Sequence, residues 1–227
     1  MKLESLNYIW NNLLIIPILT VLIIGTLYIV KKKVDKNKLI EIAEKKAKRQ
    51  KLVNILLSEL ETQEKILRTL VSDIQVIKTF NTLHADQLNQ SASKSRLVYE
   101  YLDVLEEPYL KNSTIGFIDN SLLLAKEIKD LEEGQYNIKL EFQKILDEAK
   151  IHYYYKFQED EEFIQAINSE RQRVKDMLDY YSTQREHLYQ RVKILLNERE
   201  VLKGNLMSYH KKHVQAKKLY IRYLAIA

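Results

Sequence analysis

The sequence predicts an all-α chain: a single N-terminal transmembrane helix, then long amphipathic, coiled-coil-like helices that include a helical hairpin. Three observations predict this. Only 4 Gly and 2 Pro occur in 227 residues, where average usage would give about 16 and about 11, so turns are scarce. Apolar residues recur in steps of three and four along most of the chain, the period of a helix with one buried face. An uncharged stretch near the start is long enough to cross a bilayer.

After a short segment at 1–7, residues 8–30 read as the span. No charge occurs from Ser5 to Val30. The greasiest part, Leu13–Val30, rises about 27 Å as a helix, and Tyr8–Asn12 extend it across a ~30 Å hydrocarbon core. Tyr8, Trp10 and Tyr28 sit where interfacial aromatic belts lie, and a membrane helix tolerates Pro17. A cleaved leader is disfavoured: Lys2 and Glu4 nearly cancel, and no small-x-small site follows the apolar run.

Residues 31–52 form a basic neck with ten Lys/Arg against three acids, a net of about +7. It opens with Lys31, Lys32, Lys33, Lys36 and Lys38. The positive-inside rule places the body in the cytoplasm of a bacterium, or in the matrix if the membrane is the mitochondrial inner one. The run Lys45–Lys51 suits anionic head groups better than nucleic acid, because it lies beside the membrane.

Residues 53–107 read as a first coiled-coil region. Leu56, Leu60, Gln63, Leu67, Leu70, Ile74 and Ile77 alternate steps of four and three, and Val53 extends the row. The polar, serine-rich stretch His84–Arg96 is expected to be a hinge, and Leu97–Glu107 a short helix closed by Pro108. Residues 108–120, with Pro108, Gly116 and several turn-favouring side chains, are expected to be the main loop.

The second helical region, 121–227, holds two further seams. One runs Leu124, Ile128, Leu131, Gln135, Ile138, Phe142, Ile145 and Ala149. The other recurs every seven residues: Ile167, Val174, Tyr181, Leu188, Leu195, Leu202, Tyr209, Ala216 and Tyr223. Its companion row alternates apolar residues with Arg185, Arg199 and His213, a mixture that fits a loose antiparallel hairpin or a seam against a partner. The acids Glu159–Glu162 suit a turn or a helix N-terminus. The tail is basic yet increasingly apolar, and Tyr220, Tyr223, Leu224 and Ile226 are expected to dock on a partner or lipid.

Chemistry is hard to place. With 0 Cys, disulfides, thiolate metal sites and cysteine nucleophiles are excluded. Glu148 and His152 are four apart, and His210 and His213 three apart, but neither Glu-x-x-His nor His-Glu-x-x-His occurs. Four scattered glycines build no phosphate loop. The expectation is a non-enzymatic protein with no cofactor and no metal, serving as a membrane-anchored structural or scaffold subunit. Its partners would be other protein subunits, itself and membrane lipids. A membrane-bound coiled-coil regulator or sensor of an envelope, motility or defence system is the alternative. The layout of a span followed by a basic, then amphipathic helix is similar to that of the b-type peripheral-stalk subunits of rotary ATP synthases. That similarity implies a structural role, although the expected break at Pro108 departs from a continuous stalk.

Overall fold

The computed structural model describes the backbone of residues 3–156 and 161–226, and the side chains of residues 24–151 and 161–212. These residues form α1 (Leu3–Ile77), α2 (Thr82–Arg96), a 3₁₀ helix (Tyr99–Leu105), α3 (Pro108–Lys156) and α4 (Glu161–Ile226). No strand occurs among them, as the scarcity of Gly and Pro predicts. The chain divides into two compact units, residues 1–49 and 50–227.

In the first unit the helix is apolar on every side where residues 24–30 are described. Ile24, Leu27, Tyr28, Ile29 and Val30 are each between 58% and 66% exposed. Of the expected span at 8–30, the side chains of residues 8–23 lie outside the described residues. Among the described ones, no helix is long and apolar enough to cross a membrane.

The second unit is a helical bundle. One face of α1 is buried through Leu52, Val53, Leu56, Leu60, Gln63, Leu67 and Leu70. Ile74 packs half-buried against the same core. Ile77, counted in the seam by its spacing, is exposed instead: it is the last residue of α1, and Lys78 in the left-handed region (φ 61°) turns the chain away. A short turn then reverses direction, so that Asp73 meets His84 and, further back, Gln63 meets Ser95.

The stretch His84–Arg96 is helix rather than hinge. Asn81 caps α2 by accepting from the Leu83 N–H at 3.0 Å, satisfying a donor that a helix start would otherwise orphan. Ala85, Leu88, Ser91, Ala92 and Ser95 make a buried face of mostly small side chains. The Ser95 hydroxyl donates to the Ser91 carbonyl at 3.1 Å, so its polarity is absorbed inside the helix.

The expected loop at 108–120 is likewise helical, forming the opening turns of α3. The true break is the 3₁₀ helix Tyr99–Leu105, ended by Glu106 in the left-handed region (φ 57°). Pro108 then starts α3, a position where its missing N–H costs nothing and its fixed φ suits the helix. Leu110, Thr114, Phe117, Ile118 and Ser121 are buried there. Thr114 and Ser121 donate to the carbonyls of Leu110 and Phe117, at 2.7 and 2.8 Å. Tertiary burial overrides a composition that looks loop-like.

Helices α3 and α4 run antiparallel, because Asn120, Glu127 and Glu132 on α3 meet Glu198, Arg191 and Arg185 on α4. Leu124, Ile128, Leu131 and Ile138 are buried on one side, and Val174, Leu188, Leu195, Leu202 and Leu206 on the other. Phe142 and Ile145 are half-buried. Gly134 lets the helices approach: a Cβ there would lie 2.7 Å from the Tyr181 hydroxyl.

Candidate functional site: a core with polar layers

Three polar groupings interrupt the apolar interior, and none of them was recognised as a unit from spacing. In the first, Gln63 of α1 donates to Ser95 Oγ of α2 at 3.2 Å, and its Oε1 lies 3.3 Å from Ser121 Oγ of α3, whose single proton it shares with the Phe117 carbonyl. All three residues are buried, so one amide reads the register of three helices at once. A cavity of about 10 Å³ beside it is bounded by Leu56, Gln63, Ser95, Thr114, Phe117 and Leu202; it holds one water at most.

The second grouping surrounds Arg199, which is 1% exposed. Its Nε donates to the Leu60 carbonyl at 3.1 Å and its Nη1 to Glu200 at 2.6 Å. Its Nη2 faces Glu64 as an ion pair. The carbonyl of a helical residue has a second lone pair to offer, and Arg199 uses it to stitch α4 to α1. The Arg68 hydrogen bond, at 2.9 Å, and then the Arg199 charge hold the Glu64 carboxyl below its ordinary range.

The third joins α3, α4 and the turn after α1. Arg185 grips Glu132 with both prongs, Nε to Oε1 at 2.8 Å and Nη2 to Oε2 at 3.1 Å, and also donates to Gln135. Glu132 Oε1 accepts from the Phe80 N–H at 3.0 Å. Close by, Asp73 Oδ2 accepts from the Asn81 N–H at 3.1 Å and contacts His84 Nδ1 at 2.8 Å. Arg185 and Arg199, the charged members of the mixed companion row on α4, find their partners within the chain. A signal for them was present: acids and amides at Gln63, Glu64, Glu132 and Gln135 occupy or adjoin the facing seams. Spacing within one helix cannot say which facing residue each one meets.

At its edges the bundle is tied by Tyr99, which donates to Asp119 at 2.8 Å, and by Tyr209, which donates to the Leu105 carbonyl at 2.6 Å. Burial first, then the Asp119 hydrogen bond, pushes the Tyr99 hydroxyl well above the usual phenol range. Lys129, hydrogen-bonded to Asp86 at 3.1 Å, is held above the ordinary lysine value by that bond and charge.

The neck lysines Lys31, Lys32, Lys33, Lys36 and Lys38 are all exposed on α1. Further along, Glu41 pairs with Lys45 at 2.8 Å. The tail residues Tyr220, Tyr223, Leu224 and Ile226 lie outside the residues whose side chains are described, as do His152, Tyr153–Tyr155 and His213. Among the described residues, no group of three or more His, Asp or Glu is placed to hold a metal ion. The buried carboxylates Asp73 and Glu132 are each committed to donors of the chain itself. Chemically, the arrangement fixes helix register. No family model matches the chain, and neither a curated protein nor a solved structure matches it.

Proposed function

We propose that this chain is a membrane-anchored structural subunit of a multiprotein complex, spanning the bilayer at residues 8–30 with its helical body in the cytoplasm or matrix. The observation that carries the reading is the end of the apolar run. Ile24, Leu27, Tyr28, Ile29 and Val30 are exposed on a helix with no polar face, directly ahead of Lys31, Lys32 and Lys33. Leaving a large apolar side chain in water forgoes about 1.5–3 kcal/mol, a loss that lipid tails remove. Lysines on one flank then set the orientation.

The structural half of the reading is supported by residues 50–227. The bundle's buried polar groups are met by partners within the bundle, Arg199 Nη2 through an ion pair with Glu64 and not a hydrogen bond. Its exposed surface keeps large apolar side chains for contact, Leu97, Tyr101 and Tyr109 among them. The test is topological. Reporters active on only one side of the membrane are fused after Val53, and membranes carrying the unfused chain are washed at alkaline pH. The expected result is activity of the cytoplasmic reporter alone and retention of the chain. Release by the wash, or activity of the exported reporter alone, refutes the anchor or its orientation.

A further inference from the structure

The side of α4 that faces solvent carries a second heptad row. Tyr180, His187, Ile194, Val201 and Ser208 repeat every seven residues, and Thr183, Gln190, Asn197 and Gly204 fall three further on. All nine are exposed and none is charged, in a chain that is 30% charged. An exposed helical face is ordinarily where the charges collect. From Tyr180 to Ser208 the row rises about 42 Å, four heptads, the length at which a coiled-coil seam becomes a meaningful pattern.

Large apolar side chains punctuate the row: Tyr180 is 59% exposed, Ile194 56% and Val201 58%. Gly204 has open space where its Cβ would be. A glycine in a helix interior costs about 1 kcal/mol against alanine, and no contact among the described residues calls for it. A second backbone coming close would.

We propose that this row is the seam along which two copies of the chain pair as a parallel coiled coil. Charge at the flanking positions identifies the occupant. In a parallel pair, Glu186 of one copy meets Arg191 of the other, and Lys193 meets Glu198; both contacts are attractive and each occurs twice. Arg191 already holds Glu127 of its own chain, but a guanidinium has five donors and can serve both carboxylates. Layer chemistry sets the direction. Parallel alignment stacks Ile194 on Ile194, Val201 on Val201, Asn197 on Asn197 and Gln190 on Gln190, so apolar meets apolar and amide meets amide. The antiparallel register with favourable flanks would press Ile194 onto Asn197 and Val201 onto Gln190.

The chain has 0 Cys, so a single introduced thiol is an unambiguous probe. In the full chain in mild detergent, Ile194→Cys and Val201→Cys are each expected to form a covalent dimer on gentle oxidation, because facing layers of a parallel pair lie within disulfide reach. Lys139→Cys, exposed on α3, is the control and should not. The double variant Ile194→Lys/Val201→Lys should halve the mass seen by light scattering while leaving the helical signal and melting temperature in place, since both residues are exposed in the protomer. Equal cross-linking at residue 139, no cross-linking at 194 and 201, or an unchanged mass in the double variant overturns the proposal. So does cross-linking only when Ile194→Cys and Asn197→Cys chains are mixed, which would make the pair antiparallel. None of these readouts depends on a bilayer, so the seam and the membrane anchor can fail separately.

Discussion

Replacing Arg185 by alanine removes three hydrogen bonds in one step and strands a carboxylate. Arg185 and Glu132 have side chains only 9% exposed each, held by two parallel N–H···O contacts of 2.8 and 3.1 Å. Once the guanidinium is gone, Glu132 keeps the Phe80 N–H at 3.0 Å and little else. Breaking a buried pair from one side costs about 3–5 kcal/mol, because the remaining charge is desolvated without compensation. Against a stability of roughly 5–15 kcal/mol for an ordinary domain, that is a large fraction. Arg185→Lys keeps the charge but loses the fork, and should cost about the 1.5–3 kcal/mol of one charge-assisted bond. Removing both charges at once, as Arg185→Met with Glu132→Met, should restore most of the loss, since apolar substitutes of similar volume are often as good as the ion pair. Urea titration of the full chain in mild detergent, followed by the loss of helical circular dichroism, measures all three. The reasoning is refuted if Arg185→Ala costs less than about 1 kcal/mol, or if the double variant is no more stable than Arg185→Ala, for then the pair is not desolvated.

Two glycines on α3 should respond oppositely to alanine. Gly116 has open space around it, so Gly116→Ala should gain up to about 1 kcal/mol from helix propensity. Gly134→Ala should gain nothing or lose stability, because Tyr181 must first move; thermal melts of the two variants side by side decide it. The raised Tyr99 pKa makes stability pH-dependent at the alkaline end. A group whose folded pKa lies above its unfolded value of about 10 contributes fully below that pH and loses its contribution as pH rises beyond it. The wild-type chain should therefore weaken above pH 10. Tyr99→Phe should be less stable at pH 8, for want of the Asp119 bond, yet show a flatter decline. A parallel decline in both chains would rule Tyr99 out.

Much was legible from residue order. Helical class followed from the scarcity of Gly and Pro, and the buried positions Leu56, Leu60, Leu67, Leu70, Leu124, Ile128, Leu188, Leu195 and Leu202 followed from three-and-four spacing. Both are local properties, written within a few turns of one helix. The uncharged run ahead of five lysines is equally local, which is why a membrane anchor can be argued from it. Residues 84–96 and 108–120 have the composition of a hinge and a loop yet are helical, for a related reason. Ser, Thr and Asn favour turns when exposed, and whether they are exposed depends on segments elsewhere in the chain.

Tertiary structure alone decided where Arg185 and Arg199 go. Periodicity places both on a row that alternates with apolar residues and leaves open whether that row faces the chain itself or a partner. Their partners, Glu132 and the Leu60 carbonyl, lie 53 and 139 residues away, and nothing in the spacing of α4 points to either. The same holds for Gln63, whose amide is satisfied only because Ser95 and Ser121 arrive from two other helices. An apolar side chain needs only to leave water, so a pattern within one helix suffices to foretell its burial. A buried polar group needs a particular donor or acceptor at about 3 Å, and only the packed helices supply it.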